Sequence, residues 1–129
     1  MNYLTPEQIL LIHSIIVDET GGSHGVRDMH AVLHLEHLPS QSFGGKELYG
    51  GIFQKAAVYA RSIAMNHPFI DGNKRTAMTS ASVFLENNGY EIKAKEGEIE
   101  LFAVKMVVEK LDIKEIASWF EKHSRKIHP

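Results

Sequence analysis

The sequence predicts an all-α fold: a compact bundle of about six helices, with one short flap or hairpin loop ahead of a central motif helix. Three observations lead there. Apolar residues recur at three- and four-residue spacing between recognisable caps, and no alternating apolar–polar run extends beyond a few residues. The third is composition, since 129 residues with 43% hydrophobic and 23% charged side chains have the balance of an ordinary globular domain. The whole chain, 1–129, is expected to form that one domain.

Thr5-Pro6-Glu7-Gln8 combines an N-cap, a proline at N1 and a capping-box Gln, and Ile9, Ile12 and Ile16 follow at helical spacing. The first helix is therefore expected over about 6–19, ending at Gly21-Gly22. His13 lies on its apolar stripe and reads as a packing histidine, with no functional role assigned. Asp28 caps a second helix running through His37, limited by Pro39. On one face of that helix stand His30, His34 and His37, but no thiolate or placed carboxylate completes a metal site with them.

The segment Pro39 to Gly45 is turn-rich, and its Gly44-Gly45 pair suits a hairpin bend. A third helix is expected over about 48–66, with Phe53, Ala57, Ala60 and Ala64 on a stripe that continues to His67. That stripe places His67 at the edge of the core, and Pro68 ends the helix there. Gly72 or Asn73 opens a fourth helix with Ala77, Ala81 and Phe84 inward and Asn87-Asn88-Gly89 as its stop. A fifth is expected over about 98–110. Asp112, with Glu115 three residues on, caps a sixth whose apolar stripe is Ile113, Ile116, Ala117 and Phe120. The basic run Lys122-His123-Ser124-Arg125-Lys126 reads as cations that offset the dipole at that helix's C-terminus.

Composition narrows function as well. With no cysteine there are no disulfides, thiolate metal sites or cysteine nucleophiles, which suits a reducing compartment. The first residues lack a basic n-region, and the apolar run Ile9 to Ile12 is soon interrupted, so the expected location is the cytoplasm, with no membrane partner. A formal charge of -2 gives no overall basic footprint, and no direct nucleic-acid binding is expected.

Chemistry concentrates in His67-Pro68-Phe69-Ile70-Asp71-Gly72-Asn73-Lys74-Arg75-Thr76. A helix N-terminus presents unpaired N–H groups and a positive dipole end to anions. Gly72 allows close backbone approach, while Lys74 and Arg75 add a point charge and a planar fork suited to phosphate oxygens. Asp71 is an oxygen ligand of the kind Mg²⁺ uses beside substrate phosphates, and His67 can take a proton near neutral pH. Each of these residues alone fits a plain helix start; together they form a base, a metal ligand and a phosphate clamp.

This segment resembles the signature of the Fic/Doc superfamily, His-x-Phe-x-(Asp/Glu)-Gly-Asn-(Gly/Lys)-Arg, and is most similar to the death-on-curing (Doc) toxin branch. The likeness extends to Gly25-Val26-Arg27-Asp28, the loop from Pro39 to Gly45, Lys55-Ala56-Ala57 and Phe84-Leu85-x-x-Asn88-Gly89-Tyr90. It implies a Fic/Doc-type helical bundle and an enzyme that transfers part of ATP to a protein hydroxyl. By that resemblance His67 is the general base, Asp71 holds Mg²⁺, and Gly72, Asn73, Lys74 and Arg75 bind phosphate, with Lys74 and Arg75 also stabilising charge during transfer. Gln41, Ser42 and Phe43 lie on the flap that holds the target, with Phe43 as anchor. A small cognate antitoxin is the implied partner and translation elongation factor Tu the implied target, so the implied outcome is a toxin that arrests translation.

Two departures bear on the group transferred. The nucleotidyl-transferring branch has a small Gly where this chain has Lys74 and a second Arg where it has Met78. Both departures are shared with the Doc branch, in which ATP binds the other way round and the γ-phosphate moves, so the expectation is protein kinase activity. Gly72 is instead the usual residue of the nucleotidyl branch, the Doc-type signature having Ala, and protein AMP transfer stands as the alternative. A non-catalytic partner-binding module is a further alternative, against which an intact His67 and Asp71 count. Ser82-x-x-x-Glu86-Asn87 fits the Fic inhibitory pattern but lies in the helix after the signature, and the Arg it would pair with is missing.

Overall fold

A computed structural model describes residues 1–127. Its helices are α1 (Pro6–Thr20), α2 (Met29–His34), α3 (Ile52–Asn66), α4 (Asn73–Asn87), α5 (Glu98–Val108) and α6 (Ile113–Lys122), with a 3₁₀ turn at Leu38–Ser40. Two antiparallel two-stranded ladders complete it: β1 (Ser42–Phe43) with β2 (Lys46–Glu47), and β3 (Tyr90–Ile92) with β4 (Ser124–Lys126). The fold is helical, as expected. No helix among the described residues is long and apolar enough to cross a membrane.

Helix α3 is the central element, packed on α4 and α6 along its length and touching α2, α5 and the 3₁₀ turn. Its Ala56, Ala57, Ala60 and Ala64 are fully buried, and such small side chains let neighbouring helices approach closely. Phe84 and Leu85 of α4 with Ile116 and Phe120 of α6 fill the space around it. Tyr59, also buried on α3, accepts a hydrogen bond from Leu4 N–H at 3.0 Å, which pins the chain ahead of α1 to the core. Burial pushes the Tyr59 phenol up to about 12, with the Leu4 bond acting the other way.

Both capping boxes form as read, Thr5 with Gln8 and Asp112 with Glu115. Helix α2 does not reach His37. After His34 the bonds shorten to the i→i−3 type, Glu36 to Leu33 and His37 to His34, and lead into the 3₁₀ turn that contains Pro39. His37 is thus off the helix that carries His30 and His34, and no three-ligand metal cluster occurs among the described residues.

Helix α3 starts at Ile52, not near residue 48, because Gly50-Gly51 interrupts the run and Leu48 N–H bonds back to Gln41 C=O at 2.9 Å. Helix α5 stops at Val108, two residues before the expected end. A Schellman closure ends it, with Lys110 left-handed (φ 50°), Lys110 N–H bonded to Val107 C=O and Leu111 N–H to Met106 C=O.

The C-terminal basic run is a correction. Only Lys122 belongs to the last turn of α6, while Ser124–Lys126 is a strand paired with β3 in the register Tyr90↔Lys126, Glu91↔Arg125 and Ile92↔Ser124. Arg125 Nε–H donates to Glu91 at 2.8 Å, and the Arg125 guanidinium holds the Glu91 carboxyl below its usual range. His123 stacks on Trp119, which stacks on Phe102, and its two ring nitrogens lie 2.7 Å from Trp119 C=O and 3.0 Å from Glu98.

Candidate active site

The signature spans the turn between the C-terminus of α3 and the N-terminus of α4. His67 closes α3 in the left-handed region (φ 48°, ψ 58°), where Pro68 steers it by disfavouring continued helix. A non-glycine residue there is uncommon and needs support. Arg27 provides it: its Nε donates to His67 C=O and its Nη2 to Asn66 C=O, both at 2.8 Å. The guanidinium thereby caps the negative end of the α3 dipole. His67 itself is exposed, so it stands further into solvent than the edge-of-core position read from the sequence.

The following residues are laced to the segment before α2. Arg27 N–H and Asp28 N–H both donate to Pro68 C=O, and Ile70 N–H donates to Gly25 C=O, with Val26 bridging opposite Phe69. Gly25 lets the two segments come close, since a Cβ there would lie 2.0 Å from Ile70 Cδ1 and the exposed Ile70 side chain would have to shift. In this bridge the paired groups belong to the residues flanking Phe69, and its own N–H and C=O have no partner across it. Asn73 takes both: Phe69 N–H donates to Asn73 Oδ1 at 3.0 Å, and Asn73 Nδ2–H donates to Phe69 C=O at 2.9 Å. The Asn73 amide expected to touch phosphate is therefore engaged with the loop backbone, and what Asn73 offers an anion is its main-chain N–H.

Asp71 is held from two sides. Its C=O lies 2.8 Å from His13 Nε2, so the hydrogen of that bond is on the imidazole, and its Oδ2 accepts Ser23 N–H at 2.8 Å. His13 is buried on α1 and stacks face to face on Phe69, with centroids 3.8 Å apart. The sequence signal for it, a polar ring on an apolar stripe, marked its burial but not its partner. Asp71 Oδ1 has no protein partner among the described residues. One exposed carboxylate with a free oxygen fits Mg²⁺, which takes one or two carboxylates and completes its shell with phosphates and water.

Gly72 is the N-cap of α4 at φ 76°, with no side chain capping the helix. The first helical bond runs from Thr76 N–H to Gly72 C=O, so the N–H groups of Asn73, Lys74 and Arg75 precede the ladder and face outward at its positive end. Lys74 and Arg75 are exposed, and neither joins an ion pair among the described residues. His67, Asp71, Gly72, Asn73, Lys74 and Arg75, with Ile70, line one cavity of about 350 Å³. The tertiary structure thus gathers around one space every residue given a base, metal or phosphate role.

The flap residues stand apart from that cavity's lining. Gln41 precedes β1, and Ser42 and Phe43 form it; Gly44 and Gly45 make the two-residue turn, both at positive φ. Phe43 is 83% exposed, a large apolar side chain with nothing covering it. The hairpin is fastened from below by Lys55 of α3, fully buried, whose Nζ donates to Pro39 C=O at 2.9 Å and Glu47 at 3.1 Å. A lysine three residues after Ile52 and four before Tyr59, on the buried stripe of α3, was the sequence signal for this fastening.

With this geometry in place, similarity to other proteins is informative. The Fic/DOC family model matches residues 3–85. The chain is 37% identical over 92 residues, 71% of its length, to Toxin Doc of Mycolicibacterium smegmatis, covering 68% of that protein. It is 29% identical over 92 residues to Protein kinase doc of Escherichia phage P1, covering 72% of that chain.

Proposed function

Because the chain belongs to the Fic/DOC family, we propose that it is a Fic-type toxin enzyme that moves the γ-phosphate of ATP to a hydroxyl of a target protein. One observation carries the reading: an exposed imidazole, an exposed carboxylate and an uncapped helix start, with two cations that join no ion pair among the described residues, line the same cavity. A proton acceptor beside a preorganised anion site is what phosphoryl transfer needs, and such electrostatics is usually its largest catalytic contribution. The names of the two relatives, a toxin and a protein kinase, support the same reading.

In this reading His67 takes the proton of the target hydroxyl as its oxygen attacks the γ-phosphorus, and the bond from that phosphorus to the β,γ-bridging oxygen breaks. ADP leaves with the electron pair. The N–H groups of Asn73, Lys74 and Arg75, with the side chains of the last two, hold the phosphate oxygens as charge spreads over them. Asp71 would hold Mg²⁺ through its Oδ1, and the ion would supply neutralisation of phosphate charge. The amide of Asn73, the Arg27 guanidinium and the His13 ring fix the loop that carries these groups. The target segment lies along the β1 edge with Phe43 as its apolar anchor, a strand-addition mode of recognition. Elongation factor Tu is the proposed target, and a small antitoxin the proposed restraint.

Transfer is tested with ATP labelled at the γ- or the α-phosphate, Mg²⁺ and a bacterial lysate. Label from the γ position alone is expected on the target. Transfer of the α-label, or a mass gain of one nucleotide, would replace the kinase reading with AMP transfer within the same family.

A further inference from the structure

No residue of the flap, 41–48, is buried, and its ladder of two residue pairs, Ser42↔Glu47 and Phe43↔Lys46, is marginal by itself. Among the described residues, one side-chain contact ties it to an α-helix, the ion pair of Glu47 Oε1 with Lys55 Nζ at 3.1 Å. The lysine end of that pair is fully buried on α3, where Nζ also donates to Pro39 C=O at 2.9 Å and lies 5.5 Å from the centre of the Tyr3 ring. Tyr3 in turn stacks on Phe84 of the core. A carboxylate, a carbonyl and an aromatic face thus surround the ammonium. Such burial supplies little net stability, because desolvation offsets the attraction. What it supplies is fixed geometry at both ends of the hairpin, Pro39 ahead of β1 and Glu47 in β2.

We infer that Lys55 is a positioning residue for target recognition: by latching both ends of the hairpin it holds the free edge of β1, and Phe43 with it, at a set distance from His67. The latch acts through α3. Lys55 stands in the first turn of that helix and His67 caps its far end, so the two are about 18 Å apart along one stiff rod. β1 pairs with β2 alone, which leaves its other edge for a strand of the target. With the latch closed, the target meets an edge already in place. With it open, the flap has to be ordered as the target binds, and that cost falls on binding, not on the phosphoryl step. This rests on the transfer reading above and deepens it.

The test uses ATP labelled at the γ-phosphate, Mg²⁺ and graded amounts of bacterial lysate as the source of target, on wild type, Lys55→Met, Glu47→Ala, Glu47→Gln and the double variant Lys55→Met with Glu47→Ala. In Lys55→Met and in Glu47→Ala the half-saturating lysate concentration is expected to rise about tenfold or more, while the rate at saturation and the affinity for ATP stay within about twofold of wild type. Glu47→Gln keeps an oxygen for Nζ and should recover most of the loss, and the double variant should be no worse than Lys55→Met, as two ends of one contact require. Glu47 is half exposed, so its two variants keep the fold and decide the matter even where Lys55→Met does not fold. Hydrogen exchange reads the latch without any target: Leu48 N–H, bonded to Gln41 C=O across the hairpin, should exchange about tenfold faster in Glu47→Ala, with Thr76 N–H at the start of α4 unchanged. A half-saturation that does not move, or a saturating rate and ATP affinity that fall in step with it, would overturn the positioning role. The two readings fail separately. A wild type that labels no protein removes the transfer reading and the positioning role with it, whereas a wild type that labels its target no better than Glu47→Ala does removes the positioning role alone.

Discussion

Replacing Asn73 with alanine removes two hydrogen bonds, of 3.0 and 2.9 Å, that together satisfy the main chain of Phe69. Phe69 is 1% exposed and its side of the Val26 bridge makes no ladder bonds, so neither its N–H nor its C=O gains water readily when the amide is gone. At about 0.5–1.5 kcal/mol for each neutral bond the loss is about 1–3 kcal/mol, and stranding buried groups moves it to the upper part, about 2–3 kcal/mol. For a chain of 129 residues this lowers Tm by on the order of 6–15 °C. Asn73→Asp is the sharper companion. It keeps the acceptor for Phe69 N–H but sets a second oxygen against Phe69 C=O, and the ~0.3–1 kcal/mol that an acid gains in a helix's first turn does not offset that clash. Urea unfolding with an unchanged m-value measures both, and Asn73→Asp is expected to be no more stable than Asn73→Ala. If Asn73→Ala stays within about 0.5 kcal/mol of wild type while ATP binding disappears, the amide serves the ligand and the loop-clamp argument is wrong.

Other expectations follow from the same geometry. His67→Ala should fold as judged by circular dichroism, because the side chain is exposed, while γ-transfer falls by about 10²–10⁴; transfer at the wild-type rate would remove His67 as base. Asp71→Asn should weaken ATP binding more with Mg²⁺ than without, and equal losses in titrations with and without metal would make Asp71 a loop residue only. Gly72→Ala meets nothing closer than 3.8 Å but must hold φ 76°, so it should cost about 1–2 kcal/mol by denaturation and retain transfer; loss of folding would place an unseen contact there. Glu98 is held below its ordinary 4.5 by Lys95 N–H and then by His123. A depressed carboxyl stabilises the fold above its unfolded value, and that stabilisation is lost as pH falls below 4.5. Glu98→Gln should therefore flatten the acid limb of a stability–pH profile, and an unchanged limb would assign acid sensitivity elsewhere.

What was legible in the sequence was local. Helix caps such as Thr5/Gln8 and Asp112/Glu115 are decided within four residues, and the apolar stripes of α4 and α6 by spacing alone. The gathering of the signature side chains was legible for the same reason, since a turn between two helices brings His67 and Arg75 to one cavity with only seven residues between them. Helix ends set by glycines or by contacts were misplaced, as at Ile52 and Val108. The basic run at the C-terminus was misread because its partner, β3, lies more than thirty residues earlier.

The sequence by itself determined that this chain is helical, that Pro68 and Gly72 make a sharp turn, and that an imidazole, a carboxylate and two cations share it. Only the tertiary structure decided what holds that turn. His13 reaches Asp71 across 58 positions, Arg27 reaches His67 across 40, and Lys55 ties the flap to α3. It also decided that Asn73 spends its amide on Phe69 and that α5 comes alongside α4 to wall a second cleft next to Lys74 and Arg75. The physical reason is that spacing fixes which side chains share an element's face, whereas a buried donor's partner is whatever acceptor the packed core brings within about 3 Å.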